Sequence, residues 1–239
     1  MANDQLGYDD TPYLPHVDYR VHDPERPQPP VVDPGEPVTN DPPEDATVLL
    51  GESGAAGWTH TDGRELEWRI DDGVFEVEPG SGDVRTEAAF GDCQLHLEWA
   101  TPEEREGSSQ GIGNSGVFLM DLYEIQVLDN YENPTYADGY AGAVYGQHPP
   151  LVNACRPSGE WQSYDIVWNA PRFDDDELAE PATVTVLHNG VVIQHATEVL
   201  GTTGHRTLPE YEPHPSEGHL RLQDHGDRVR FRNVWYREL

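Results

Sequence analysis

Apolar and polar positions alternate along most of this chain, the period-two signature of strands with one buried face. In FGDCQLHLEW, Cys93, Leu95, Leu97 and Trp99 point one way and Gln94, His96 and Glu98 the other. Further alternating runs are TVLLGE from Thr47, Ser115–Met120, Leu122–Leu128, Trp161–Trp168, Leu220–Gln223 and Val229–Arg237. Asp72–Gly73 stands between Glu65–Ile70 and Val74–Val77, and Asn189–Gly190 between Ala182–His188 and Val191–His195. Both dipeptides favour the two-residue hairpin turn that needs positive φ at each position. No stretch keeps a helical period over a useful length. About ten to twelve strands with few helices predict an all-β chain, two antiparallel sheets face to face in a concanavalin-like jelly-roll sandwich.

Two regions break the pattern. Residues 1–45 hold 10 of the 21 prolines and 11 acids. Such a segment lacks the backbone donors for helix or sheet, so an extended, loosely attached tail is expected, followed by one domain over residues 46–239. Within it, HVDYRVHD with Tyr13 and Tyr19 is the part able to dock. The long loops Asn130–Pro157 and Leu200–Gly218 exceed what a hairpin needs, which marks them for function.

The polar partners of the alternation are the candidate chemistry. In YEIQVLD, Tyr123, Ile125, Val127 and Asp129 share one face, and Glu124, Gln126 and Leu128 the other. A carboxylate next to an amide suits a sugar, the amide fixing a hydroxyl while the carboxyl handles a proton. The neighbouring run brings Asn114 to the same sheet. The next acid along the strand, Asp129, sits at an odd offset and about 16 Å away by strand rise, which disfavours a close glycosidase pair. Near the C-terminus, RLQDHG puts Arg221, Gln223 and His225 on one face. His225 is either an acid–base group at a strand end or merely exposed. In GAVYGQHPP, Tyr145, Gln147 and His148 either line a pocket or form a surface turn. His205, His214 and His219 receive no role. No HxH or HExxH spacing marks a metal site.

Charge narrows the setting. Against 45 acidic residues stand 14 basic ones, all arginine, for a net charge of −31. Mean hydropathy is −0.71. Acids spread along the chain with no lysine resemble the proteins of salt-in halophiles, where salt screens self-repulsion. There is no basic patch for nucleic-acid phosphates, and lysine chemistry is excluded. Cys93 and Cys155 form no CxxC motif or disulfide framework. The N-terminus shows neither a basic-then-apolar leader nor a run long enough to cross a membrane, so a cytoplasmic protein is expected.

Taken in order, GNSGVFL, YEIQVLDN, GAVYG, GEWQSYDI, VLHNGV and LRLQDHGDRVRFRNVW resemble the 3-keto-disaccharide hydrolase family, also known as domain of unknown function 1080, over Thr47–Leu239. The resemblance implies a jelly roll acting on 3-keto-glycosides. In that chemistry a ketone at C3 acidifies the C2 proton, a base removes it, the enolate is stabilised and the C1 substituent leaves; water can then add back. It implies Glu124 and His225 as the acid–base residues, in an order the sequence does not assign. Asn114, Gln126 and Gln223 would bind sugar hydroxyls or the enolate, and Tyr145 and His148 would form the pocket wall. It also admits a divalent metal, for which Glu124, His148 and His225 are the candidate ligands. The turn FLMDL lacks the basic residue expected in many relatives. A non-catalytic carbohydrate-binding module is the competing expectation.

Overall fold

Fifteen strands run through the computed structural model, which describes residues 6–37, 39–51, 54–55 and 57–239. They are β1 (Thr47–Leu50), β2 (Trp58–His60), β3 (Arg69–Asp71), β4 (Val74–Glu76), β5 (Val84–Phe90), β6 (Cys93–Ala100), β7 (Ser115–Leu119), β8 (Tyr123–Val127), β9 (Gln162–Asn169), β10 (Arg172–Asp174), β11 (Glu177–Glu180), β12 (Thr183–His188), β13 (Val191–Glu198), β14 (Gly218–Leu222) and β15 (Arg230–Glu238). One sheet is ordered β13-β12-β9-β6-β15-β4-β3, with β1 also on β15; a second is ordered β2-β5-β14-β7-β8. The pairings are antiparallel, and β10 and β11 form a separate small hairpin. Among the described residues no helix is long and apolar enough to cross a membrane.

The core lies between the two large sheets, and strand alternation builds it. Leu95, Leu97 and Trp99 of β6, with Tyr164, Ile166 and Trp168 of β9, face Val117, Leu119, Tyr123, Ile125, Val127, Leu220 and Leu222 of β7, β8 and β14. This is a jelly-roll sandwich. Asp72–Gly73 and Asn189–Gly190 make the expected turns with φ of 48° and 74°, and 52° and 79°. Burial holds both cysteine thiols up at about 12, so they stay protonated.

Three expectations change. First, Phe90 does not open the Cys93 strand. It closes β5, and Gly91–Asp92 turn the chain, so two adjacent runs had merged into one apparent strand. Secondly, β2 and the β10–β11 hairpin were not foreseen; the hairpin turns on Asp175–Asp176, at φ 47° and 66° without a glycine to signal it.

Thirdly, the Pro-rich segment is extended but not loose. Leu14 and Val21 are buried, and His22 donates its backbone N–H to Asp138. Asn40 donates to Asp165 at 2.9 Å and accepts from Trp235 Nε1 at 3.1 Å. Residues around it therefore cover the outer face of β6, where His96 and Glu98 are buried rather than solvated. The first five residues lie outside the described part of the segment.

Candidate active site

The face of the second sheet that points away from the core carries the chemistry. In the β7–β8 ladder Phe118 lies opposite Glu124 and Gly116 opposite Gln126. Arg221 of β14 lies opposite Phe118, its guanidinium 3.5 Å above the ring centroid. Gly116 leaves the floor open: a Cβ there would come within 2.5 Å of Glu124 Oε1 and 2.7 Å of the Phe118 ring.

β8 is an edge strand, and an unpaired edge needs partners. The two long loops supply them. Gly142 N–H and Tyr145 N–H donate to the Gln126 and Glu124 carbonyls at 2.8 and 3.2 Å, and Ala143 O accepts from Gln126 N–H at 3.0 Å. Glu124 N–H donates to Thr203 Oγ1 at 2.9 Å, and Thr203 N–H to Leu122 O at 2.9 Å. Gln147 ties the loops together, donating to Gly201 O at 2.9 Å and accepting from Leu200 N–H at 2.7 Å. The edge pairing thus seats Tyr145, Thr203, Gly204 and His205 around Glu124.

The result is a cavity of about 240 Å³ lined by Gln110, Asn114, Phe118, Glu124, Gln126, Tyr145, Thr203, Gly204, His205, Gln223 and His225. A larger depression, about 660 Å³, lies on the other sheet beside Glu98 and Arg232. There Arg232 Nε donates to Glu98 at 2.7 Å, which ties up that carboxylate, while Asp41 and Asp72 line the rim. The smaller cavity brings a carboxyl, Glu124, together with two imidazoles, His205 and His225.

Among the described residues Glu124 is the one carboxyl lining that cavity. Burial pushes it up from its ordinary 4.5 to about 8; Arg221 pulls it back only in part, and Asp83 adds to the rise. It therefore carries a proton at neutral pH. The end of the Gln126 amide lies 2.9 Å from Glu124 Oε1. The amide nitrogen takes that side, donating to Ser115 O at 3.0 Å and to Glu124 Oε1. Gln223 Oε1 is buried in the wall without a hydrogen-bond partner among the described residues, an acceptor suited to a ligand hydroxyl.

Six of the seven residues expected at the site line this cavity: Glu124, His225, Asn114, Gln126, Tyr145 and Gln223. His148 does not. A tight turn at Gly146, with Val144 and His148 exchanging backbone hydrogen bonds at 3.0 Å, carries it to the far side of the loop. There it packs on His16 at 4.5 Å, and burial, with His16 and Arg26 nearby, lowers it to about 4.

The metal set of Glu124, His148 and His225 is therefore not assembled. Among the described residues no group of three or more His, Cys, Asp or Glu is placed to hold a metal ion. Asp129 also lies away from Glu124, accepting from Thr101 Oγ1 at 3.3 Å and Tyr131 N–H at 3.2 Å. Asp121, in the turn that lacks a basic residue, pairs with Arg85 at 3.2 Å.

Gln110, Phe118, Thr203, Gly204 and His205 were not anticipated. Phe118 could have been read from alternation with Gly116. The others come from loops, whose position depends on the β8 edge rather than on any local pattern.

A family model described as a 3-keto-alpha-glucoside-1,2-lyase-like domain matches residues 45–237. A "putative glycosyl hydrolase" from Parabacteroides distasonis, known from its crystal structure, is 44% identical, with a TM-score of 0.82 over 89% of this chain and 93% of its own. That share exceeds the span of the family model, so the likeness reaches into the N-terminal segment. A second protein of the same description and organism is 21% identical, with a TM-score of 0.59 over 82% of this chain and 94% of its own, a likeness of fold. No curated protein matches the chain. None of these findings supports the salt-adapted source expected from the charge.

Proposed function

Because the chain belongs to the family of 3-keto-alpha-glucoside-1,2-lyase-like domains, we propose that its cavity cleaves a 3-keto-glycoside by elimination across C1 and C2, with rehydration as a second step. The carrying observation is a lone carboxyl held protonated in a cavity that also contains imidazole. One protonated carboxyl with no second carboxylate in the lining does not match the pair of a conventional glycosidase. It does match an elimination that needs one acid and one base.

In this reading His225 takes the C2 proton, and the C–H electrons pass to the C3 oxygen as an enolate. The enolate collapses, C3=O reforms, C1=C2 forms and the C1–O bond breaks. Glu124 gives its proton to the departing oxygen. The base then holds one proton and Glu124 lacks one, and water returns the site to its starting state. Gln223 and Gln126 hold ring hydroxyls.

The test is turnover of a 3-keto-glucoside beside its unoxidised parent, with saturable sugar binding followed in parallel. Elimination of the keto sugar alone is expected, and His225→Ala should lower kcat by ~10²–10⁴-fold. Binding without product would instead identify a carbohydrate-binding module.

Gly116 provides a further check. In Gly116→Ala the added Cβ meets the Glu124 carboxylate and the Phe118 ring. Displacing a catalytic group by about 1 Å costs on the order of 10²-fold. A fall of that size in kcat, with an unchanged far-ultraviolet spectrum, is expected. Full activity would show that Glu124 does not need its observed position.

A further inference from the structure

Elimination builds negative charge on the C3 oxygen, and the proposed acid and base do not neutralise it. Donors in the lining are few. Gln110 Nε2 is committed to Thr135 Oγ1 and Gly139 O, both at 3.0 Å. Asn114 Nδ2 is committed to Gln110 O at 2.8 Å. His205 lines the same cavity, and one of its ring nitrogens is already assigned by its neighbours.

A hydrogen-bonded file leads to that ring. Tyr136 Oη lies 2.7 Å from Tyr145 Oη, and Tyr145 Oη lies 3.0 Å from His205 Nδ1. Each tyrosine has one proton. Tyr136 is buried, and among the described residues its hydroxyl has Tyr145 as its only partner. Running the file away from His205 would strand the Tyr136 proton without an acceptor, at a cost of ~1–3 kcal/mol. So Tyr136 donates to Tyr145, Tyr145 donates to Nδ1, and the imidazole proton resides on Nε2. Burial, with His22, Arg206 and His225 nearby, lowers His205, which keeps the ring neutral. Burial raises both tyrosines, so the file stays protonated.

The file is backed by the N-terminal segment. The His22 ring lies 4.2 Å from Tyr136, 4.8 Å from Tyr145 and 5.3 Å from His205, stacked on the last. Asp138 holds it by accepting from both its backbone N–H and its Nδ1–H, at 2.9 and 3.1 Å.

We propose that His205 is a further catalytic residue, donating its Nε2–H to the C3 oxygen as the enolate forms, with Tyr136, Tyr145 and His22 as the positioning residues that select this tautomer. This rests on the elimination reading above. A neutral imidazole is a suitable donor because it stabilises an enolate without surrendering its proton outright.

Two measurements on the full-length protein test it. Nitrogen-15 NMR of the labelled imidazoles at pH 7 should show His205 protonated at Nε2, and Tyr145→Phe should mix the tautomers. With a 3-keto-glucoside, His205→Ala and His205→Asn should lose ~10²–10³-fold in kcat, the usual effect of removing an oxyanion donor. His205→Gln, whose amide nitrogen reaches the place of Nε2, should recover to within about tenfold of wild type. An Nδ1–H tautomer, or His205→Ala turning over like wild type, would overturn the assignment while leaving the elimination intact. A wild-type protein inert toward the keto sugar would overturn both.

Discussion

Glu124→Gln should abolish cleavage at C1 while leaving proton exchange at C2 in place. Among the described residues the carboxyl is the only one in the cavity lining, and burial keeps it protonated up to about 8. In the proposed elimination its part is to protonate the departing oxygen, which glutamine cannot do. General acid catalysis of this kind is worth ~10²–10⁴-fold, and a loss of that size in kcat is expected with an alkoxide leaving group. With a nitrophenolate leaving group, which departs without help, the deficit should shrink to roughly tenfold or less. An equal deficit for both leaving groups would instead make Glu124 the base.

The same substitution has a signature in stability. In the unfolded chain Glu124 ionises near 4.5; in the folded protein it ionises near 8. Below 4.5 both states hold the proton and there is no penalty. As pH rises from about 4.5 toward about 8, the folded state retains a proton that the unfolded state has released, so stability falls, and above 8 it falls no further on this account. Glutamine removes that slope. Glu124→Gln should therefore be more stable than wild type at pH 8 by roughly 4 kcal/mol, taking about 1.4 kcal/mol per tenfold change in proton affinity. Urea titrations at pH 5 and pH 8 measure it; equal pH dependence in the two proteins would show that Glu124 is not held protonated by burial.

Asp138→Ala is the second large effect, and it concerns the N-terminal segment. Asp138 is fully buried. It accepts from His22 N–H and Nδ1–H, and Arg26 Nη1 stands 3.6 Å away, itself 7% exposed. Alanine leaves the buried Arg26 guanidinium without its counter-ion, with only Gln147 O at 3.0 Å still accepting from it, and leaves the two His22 donors without their acceptor. Removing one partner of a buried charge pair costs ~3–5 kcal/mol, a large part of the ~5–15 kcal/mol that a folded domain has. The midpoint of urea unfolding should fall accordingly, and turnover should fall with it because Tyr136 and Tyr145 lose their backing. Asp138→Asn keeps one acceptor oxygen and should lie between. A loss below about 1 kcal/mol would be that of an exposed pair and would mean that the segment is only laid against the body.

Particular residues show where sequence was legible. Tyr123, Ile125 and Val127 against Glu124 and Gln126 could be read directly, because strand alternation is local and the core lies on one side. Asn189–Gly190 could be read because its turn needs two positive φ values. His148 could not be placed, since its loop has no period and the turn at Gly146 decides which side it takes. His205 had no local signal: it reaches the cavity because Thr203 satisfies the free edge of β8. His22 was hidden in proline-rich sequence, where its role depends on an acid 116 residues away. Long-range edge pairing and buried charge set the rest of the site, and neither leaves a pattern along the chain.

The proposed elimination is tested most directly by proton NMR of a 3-keto-glucoside in deuterium oxide with wild-type protein, Glu124→Gln and His225→Ala. Wild type should exchange the C2 proton and yield the 2-hydroxy-3-keto-glucal. Glu124→Gln should exchange C2 without cleaving C1, and His225→Ala should do neither. Hydrolysis of the unoxidised glycoside by wild type, or C1 cleavage with the C2 proton retained, would contradict it.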